Sequence, residues 1–340
     1  MQPDGLVSVV VVAHNNWPDL ELAIQSALNQ SYKLLEVIVV DNSSTDATAQ
    51  LVPKLFGSRI RYVRQPNTGE GGGRNAGIRL ANGEFVQFLD GDDCLAPDKV
   101  EKQVAAFEAL PDVDVVYGDV RQFQTEAGAA TWEDWDTQDY PDMLATLLSP
   151  QGNGAGLVTH SVIFRRRALE LVGPWTENSP VSEGAVTTNM ADQDFWLRAA
   201  WAGCRFRYCP GSLCFQRRRS GQLSSNPRAV VRGMALVLTS AREYITREPY
   251  RTAVSQRLGH ILYYLAVSEN KSNVKTSLAN LRKAREVSPS FVTLRAFVIG
   301  WLIIVTGIGP YLFGRWLKPV RKLAALFAGV KRNRPFSASL

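Results

Sequence analysis

The stretch Leu6-Val7-Ser8-Val9-Val10-Val11-Val12-Ala13-His14-Asn15 is almost continuously apolar and β-branched, as expected of a strand buried on both faces of a parallel sheet. Working outward from it, Pro18 precedes Leu20, Ala23, Ile24, Ala27 and Leu28 at helical spacing, so a helix follows the strand. Leu35-Glu36-Val37-Ile38-Val39-Val40 reads as a second strand ending at Asp41, and Asn42-Ser43-Ser44-Thr45-Asp46 offers several helix-capping side chains. A third strand is expected near residues 60–63. A glycine-rich loop, a helix from about Arg74 and a strand over 84–89 running into Asp90-Gly91-Asp92-Asp93 continue the alternation, which is that of an α/β domain.

Further along, Pro97 opens a helix with Val100, Val104 and Phe107 on one face, and residues 113–117 read as a strand. Residues 119–155, with Trp132-Glu133-Asp134-Trp135-Asp136, lack a clear period and read as an insertion or mobile loop. A strand over 158–164, a helix over 195–201 and short strands near 205–208 and 213–215 follow. From Pro227 to about Glu286 the pattern is helical. The expected partition is an α/β domain in residues 1–225 and a helical region in 226–340.

Composition narrows the function classes. The chain has 340 residues, 45% hydrophobic and 21% charged, near globular averages, which argues against disorder, collagen and a many-span membrane protein. Its net charge of +6 conceals a split: residues 271–340 hold 13 Lys/Arg against the single acid Glu286, a local +12, leaving 6 − 12 = −6 for residues 1–270. Cys94, Cys204, Cys209 and Cys214 are too few and too irregularly spaced for a disulfide scaffold or a paired zinc motif, so a reduced cytoplasmic protein is expected. Met1-Gln2-Pro3-Asp4-Gly5 has no basic segment ahead of the apolar run, and no export signal is expected.

Chemistry in parallel α/β sheets concentrates at the carboxyl ends of strands. Three segments end there: Ala13-His14-Asn15, Asp41, and Asp90-Gly91-Asp92-Asp93. An isolated Asp41 suits a turn as well as a ligand. Three acids within four residues repel one another unless a cation is shared, and oxygen ligands suit Mg²⁺ or Mn²⁺ bridging substrate phosphates; a solvated turn is the alternative. The segment Gly69-Glu70-Gly71-Gly72-Gly73-Arg74 offers backbone N–H groups and a guanidinium to a phosphate. It also matches a loose dinucleotide fingerprint, but that fingerprint normally serves the first strand of its unit, whereas the first long strand here ends in His14-Asn15.

As an ordered set, residues 8–15, Val39-Val40-Asp41 with the loop to Asp46, Gly73-Arg74-Asn75-Ala76-Gly77 and Phe88-Leu89-Asp90-Gly91-Asp92-Asp93 resemble the family 2 glycosyltransferases. The resemblance spans about residues 6–225. It implies a GT-A-type, Rossmann-like, mostly parallel sheet with flanking helices, and an inverting enzyme using a nucleotide-sugar donor. By position, Ala13 and Asn15 line the nucleotide pocket, Asp41 accepts from a base, often uracil, and Arg74 and Asn75 lie near the donor. Asp90 serves ribose or metal and Asp92 the metal, Mg²⁺ or Mn²⁺. Ala191-Asp192-Gln193-Asp194-Phe195-Trp196-Leu197-Arg198 resembles the segment bearing the family's general base, which falls on Asp192; capping of the following helix is the competing role for Asp192 and Asp194. Gln216-Arg217-Arg218-Arg219-Ser220-Gly221 departs from the pattern, with Arg219 where a metal-binding histidine often stands. A guanidinium cannot ligate a cation, so Arg217 and Arg219 are expected at the diphosphate instead. Trp175 fits either sugar stacking or packing.

Residues 296–314 carry no charge for 19 positions, but Gly300, Gly307, Gly309 and Pro310 interrupt the run and both flanks are basic. A peripheral helix at an anionic membrane surface, on the inner face of the cell membrane, is expected rather than a span; a helical dimer or domain contact is the alternative. No nucleic-acid motif accompanies the basic tail. The expected partners are a nucleotide-sugar donor and a glycan or lipid-linked acceptor. Two other readings stay open: a donor-binding scaffold without activity, and a nucleotidyltransferase.

Overall fold

The computed structural model describes residues 4–126, 129–149, 157–177, 190–219, 226–268 and 273–306. The chain divides into two compact units, Met1–Leu147 with Gly154–Asn226, and Leu148–Asn153 with Pro227–Leu340.

The first unit is built on β1 (Val7–Ala13), whose residues are all buried. It pairs in parallel with β2 (Leu35–Asp41) on one side and β4 (Phe85–Asp90) on the other. With β3 (Arg61–Arg64), β6 (Val115–Tyr117), β9 (Val162–Arg165) and β10 (Phe206–Tyr208) they form a seven-stranded sheet ordered β10-β6-β9-β4-β1-β2-β3. β9 runs antiparallel to both β4 and β6, so the sheet is mostly parallel. A second sheet, β5-β11-β7-β8, comprises β5 (Cys94–Leu95), β11 (Cys214–Arg218), β7 (Val120–Glu126) and β8 (Ala129–Asp134).

Helices cover β1 on both faces. Val7, Val9, Val11 and Ala13 share a core with Leu20, Ala23, Ile24 and Ala27 of α1 (Asp19–Leu28), each fully buried Val, Leu or Ile side chain contributing roughly 1.5–3 kcal/mol. α2 (Thr48–Phe56) adds Val52 and Phe56, and α4 (Lys99–Ala109) adds Val100, Val104 and Phe107. On the other face lies α3 (Gly69–Leu80), and here the glycine-rich segment differs from the expected loop: Gly69–Gly73 is helical. The glycines serve close approach. A Cβ on Gly73 would stand 2.6 Å from Val12 Cγ1, one on Gly77 would overlap Val10 Cγ1, and one on Gly71 would overlap the Thr176 carbonyl.

Three other segments depart from the sequence reading. Residues 120–134 contain the antiparallel pair β7–β8 rather than an unpatterned insertion. Residues 159–161 form a 3₁₀ turn ahead of β9. α7 (Ala191–Trp201) starts four residues earlier than expected, so Asp192 and Asp194 lie in its first turn and neither caps it; Met190 holds the N-cap position. Between α4 and α7 lie α5 (Met143–Leu148) and α6 (Arg166–Val172).

The second unit contains α8 (Pro227–Tyr244), α9 (Tyr250–Ser268), α10 (Val274–Val287) and α11 (Leu294–Thr306). Leu258, Ile261, Leu262 and Leu265 of α9 are buried, as are Leu281 and Ala284 of α10, and the Asn273 side chain caps α10 by accepting from the Thr276 N–H at 3.0 Å. α11 leaves Leu294, Val298, Trp301, Leu302 and Val305 exposed. Among the described residues no helix is long and apolar enough to cross a membrane; the remainder of the uncharged run, 307–314, lies outside them.

Gly77→Ala tests the close packing of α3 on β1. Overpacking of this kind costs about 2 kcal/mol, or roughly 4–8 °C in Tm, to be read by thermal unfolding followed by circular dichroism.

Candidate functional site

The candidate site lies in the first unit, at the carboxyl ends of β1, β2 and β4, where ligands of open α/β sheets bind. Strand register aligns its parts: Val12 is opposite Val40 and Asp90, and Ala13 is opposite Asp41. The Gly91 N–H donates to the Val12 carbonyl at 2.9 Å and the Asn42 N–H to the Ala13 carbonyl at 2.8 Å. The acidic turn and the loop after β2 are thus both tied to β1.

On the β2 side, exposed Asn15 has φ 55°, a left-handed conformation that asparagine tolerates. Its Oδ1 accepts from the Thr45 N–H at 2.7 Å and its own N–H donates to Ser44 Oγ at 3.1 Å, stapling the two loops together. Asp41 is fully buried. Its Oδ1 accepts from the Ser44 N–H at 2.7 Å and its Oδ2 from the Tyr62 hydroxyl at 2.6 Å.

On the β4 side, Arg74 is 1% exposed. Its Nη2 donates to Asp90 Oδ1 at 3.0 Å and to Glu70 Oε2 at 3.3 Å, while the guanidinium lies 4.8 Å from the centre of the Trp175 ring. Nε and Nη1 are buried and make no hydrogen bond. The carboxyls of Asp90, Glu70 and Asp192 act on this guanidinium, and Asp92 acts on Asp90 and Glu70. His160 also acts on Asp90, and Arg219 and His160 act on Asp92, so the carboxyls crowd together among a few cationic groups, a setting that suits a divalent ion.

The acids differ in their proton affinity. Burial opposes ionisation of Asp90, but Arg74 and His160 outweigh it and hold this carboxyl well below the usual range. Burial, reinforced by Asp90, pushes Asp92 up. Burial also lifts Asp192 to about 6, with Arg74 working against it; the Asp192 Oδ1 accepts from the Gln193 N–H at 2.7 Å.

His160 and Lys99 escaped the sequence reading, and Asp93 was read there only as a member of the acidic cluster. Asp93 is buried, with its Oδ1 accepting from the Arg217 N–H at 2.7 Å and its Oδ2 lying 3.1 Å from His160 Nδ1. Burial raises the affinity of the Asp93 carboxyl for a proton, and the imidazole beside it works the other way. His160 arrives on the turn before β9, one of only three histidines in the chain. That turn is held by Gln87, whose Nε2 donates to the His160 carbonyl at 3.2 Å, and by Gln103, which donates to the Ser161 carbonyl at 2.8 Å. Both glutamine oxygens accept from Lys99 Nζ, at 2.6 Å for Gln103. Lys99 is fully buried, and burial pulls its ammonium down to about 7. The i,i+4 spacing of Lys99 and Gln103 beside the apolar face of α4 was the available signal.

Of the remaining expected residues, Asn75 directs its amide at the 173–177 segment. Its Nδ2 donates to the Trp175 carbonyl at 2.9 Å and to Glu177 Oε1 at 3.0 Å, and its Oδ1 accepts from the Trp175 N–H at 2.8 Å. Trp175 is buried and stacks on Phe195 with centroids 4.1 Å apart, so it packs rather than presenting a free face. Asp194 Oδ2 accepts from Thr176 Oγ1 at 2.7 Å and Arg198 Nε at 2.9 Å, locking α7 to the same segment. Arg217 and Arg219 converge on Asp19, and the Arg217 Nε donates to the Asp92 carbonyl at 3.1 Å.

Residues 8–173 match the model of glycosyl transferase family 2. The chain carries a family 2 glycosyltransferase domain. Among relatives, succinoglycan biosynthesis protein ExoO of Rhizobium meliloti is 38% identical over 125 residues, 35% of this chain and 36% of that protein. Chondroitin synthase of Escherichia coli is 28% identical over 222 residues, 65% of this chain and 30% of the relative. The chain therefore spans about a third of the length of these curated relatives. Among solved structures, S. aureus TarS 1–349 in complex with UDP-GlcNAc superposes with TM-score 0.57 at 19% identity, covering 95% of this chain and 90% of that one. The mannosyltransferase PcManGT from Pyrobaculum calidifontis, in complex with GDP-Man and Mn²⁺, gives 0.53 at 19% identity, covering 95% and 86%. The domain has the GT-A fold of a family of enzymes.

Lys99→Met tests the buried network. Because burial lowers the folded-state pKa of Lys99 to about 7 from 10.5, the folded protein binds fewer protons here than the unfolded chain, and this residue's contribution to stability rises as pH climbs through that window. Urea unfolding of both proteins across that range is expected to show the balance moving toward wild type as pH increases.

Proposed function

We propose that the protein is an inverting glycosyltransferase that moves a sugar from a nucleotide diphosphate donor, a UDP-sugar, to a hydroxyl of a cell-surface glycan or lipid-linked acceptor in a single displacement. The observation that carries this reading is that Asp192, Asp90 and Glu70 all act on the one buried Arg74 guanidinium. Asp192, lifted by burial to about 6, is ionised at neutral pH yet basic enough to take a proton. The acceptor hydroxyl gives its proton to Asp192 as its oxygen attacks the anomeric carbon, and the bond to the diphosphate breaks on the opposite side.

At the donor end, Ala13, Asn15 and Asp41 receive the nucleoside; both Asp41 oxygens retain lone pairs for a base N–H. Arg74, whose Nε and Nη1 make no hydrogen bond, is assigned to the diphosphate together with Arg217 and Arg219, and Asn75 holds the adjoining 173–177 segment. Asp90, with Asp92 beside it in the motif, would hold Mg²⁺ or Mn²⁺, whose preference for oxygen ligands these carboxyls fit. When bound, the ion neutralises charge on the departing diphosphate. The printed name of an Escherichia coli relative, 36% identical over 104 residues, gives that protein a UDP-Glc donor and a diphosphoundecaprenol-linked acceptor, in keeping with this reading.

The transferase is assigned to residues 1–225. We assign 226–340 to peripheral attachment at the inner face of the cell membrane: the apolar side chains exposed on α11 would enter the headgroup boundary while the 13 Lys/Arg of residues 271–340 meet anionic lipid.

Asp192→Asn is expected to cut transfer by about 100-fold or more while calorimetric titration with UDP-sugars shows donor affinity unchanged. Wild-type turnover should rise with pH through about 6, as Asp192 ionises, and then level. Retained turnover in the variant would remove the base from Asp192. For the tail, co-flotation of the full chain with phosphatidylserine vesicles, but not pure phosphatidylcholine, is expected; Trp301→Asp should weaken it, and salt at about 0.5 M should release it.

A further inference from the structure

We propose that the imidazole of His160 is a direct ligand of the divalent cation held at Asp90, together with Asp93, and that this nitrogen ligand makes the site prefer Mn²⁺ to Mg²⁺. The inference rests on the nucleotide-sugar reading above and concerns which groups complete its ion site.

Among the described residues, Asp90, Asp93 and His160 form the one group of three metal-ligating side chains whose ligand atoms all lie within 4.8 Å of one another. His160 Nδ1 stands 3.1 Å from Asp93 Oδ2 and 3.9 Å from Asp90 Oδ2. Ligands each about 2.0–2.2 Å from a common ion have separations of this order. Asp92 lies outside this group, although its position in the motif suggested it first.

A second observation points to a missing partner. The His160 side chain is 1% exposed, and its Nδ1 stands in ion-pair range of Asp93 Oδ2, at 3.1 Å, without the geometry of a hydrogen bond. Buried polar atoms are seldom left so, and this imidazole is aimed at two carboxylates. Nor is the ring carried by a loose loop. The carbonyls of residues 160 and 161 are held by Gln87 and Gln103, and both glutamines are anchored on Lys99. Ligands pre-set by a supporting shell are what a selective ion site requires. Mg²⁺ favours oxygen ligands and retains its waters, whereas imidazole suits transition ions, so one nitrogen among oxygens shifts the preference toward Mn²⁺.

The competing role for His160 is that of a counter-charge to Asp93 with no bond to the ion, and pulsed electron paramagnetic resonance separates the two. The full chain loaded with Mn²⁺ and UDP is expected to show ¹⁴N modulation from a directly bound imidazole. The modulation should vanish in His160→Gln and persist in His14→Gln and His260→Gln. Direct titration should show the Mn²⁺ dissociation constant raised about tenfold or more in His160→Gln, with the Mg²⁺ constant moved less. Mn²⁺ bound alongside UDP without ¹⁴N modulation would overturn the assignment and leave the donor reading standing. Wild type that binds neither Mn²⁺ nor UDP would overturn both. If His160→Gln does not fold, the wild-type spectrum decides by itself.

Discussion

The double-sided burial of β1 is the constraint on which the rest of this domain depends. All seven of its residues are buried, so helices must cover both faces, and the helix on the second face must come close. α3 meets that demand with glycine where it crosses Val10 and Val12. The same close approach sets Arg74 beneath the end of β4, within 3.0 Å of Asp90. One packing requirement therefore places the guanidinium among the acids.

From that placement follows the electrostatic character of the site. The buried Arg74 guanidinium, with His160, holds Asp90 ionised while burial lifts Asp92 and Asp192. Identical side chains are thereby given different proton affinities by their surroundings. The supporting layer is equally specific. Asn75 and Asp194 grip the 173–177 segment from two helices, and the Lys99 network carries the turn bearing His160.

Much of this was legible in order along the chain. The apolar run at β1, the strand ending in Asp41 and the acids after β4 are local patterns, and local patterns report strands and their carboxyl ends directly. The segments that misled are those whose conformation is set from a distance. Gly69–Gly73 carries low helix propensity and reads as a loop, yet tertiary contact makes it helical. Residues 120–134 show little period because β7 pairs with β11 from some ninety positions later, in register Gln122 to Gln216. Sequence spacing holds no trace of such a pairing.

The sequence by itself determined the α/β class, the carboxyl-end position of the site, the identity of Asp41, Arg74, Asp90, Asp92 and Asp192 as its candidate residues, and the basic charge of the tail. Only the tertiary structure decided that His160 and Asp93 join Asp90, that Lys99 is buried behind them, and that Trp175 belongs to the packing around Arg74. The reason is distance along the chain. Charge and periodicity are properties of neighbours in sequence, whereas an imidazole from the turn before β9 meets the acids after β4 because antiparallel β9 lies beside β4 in the sheet.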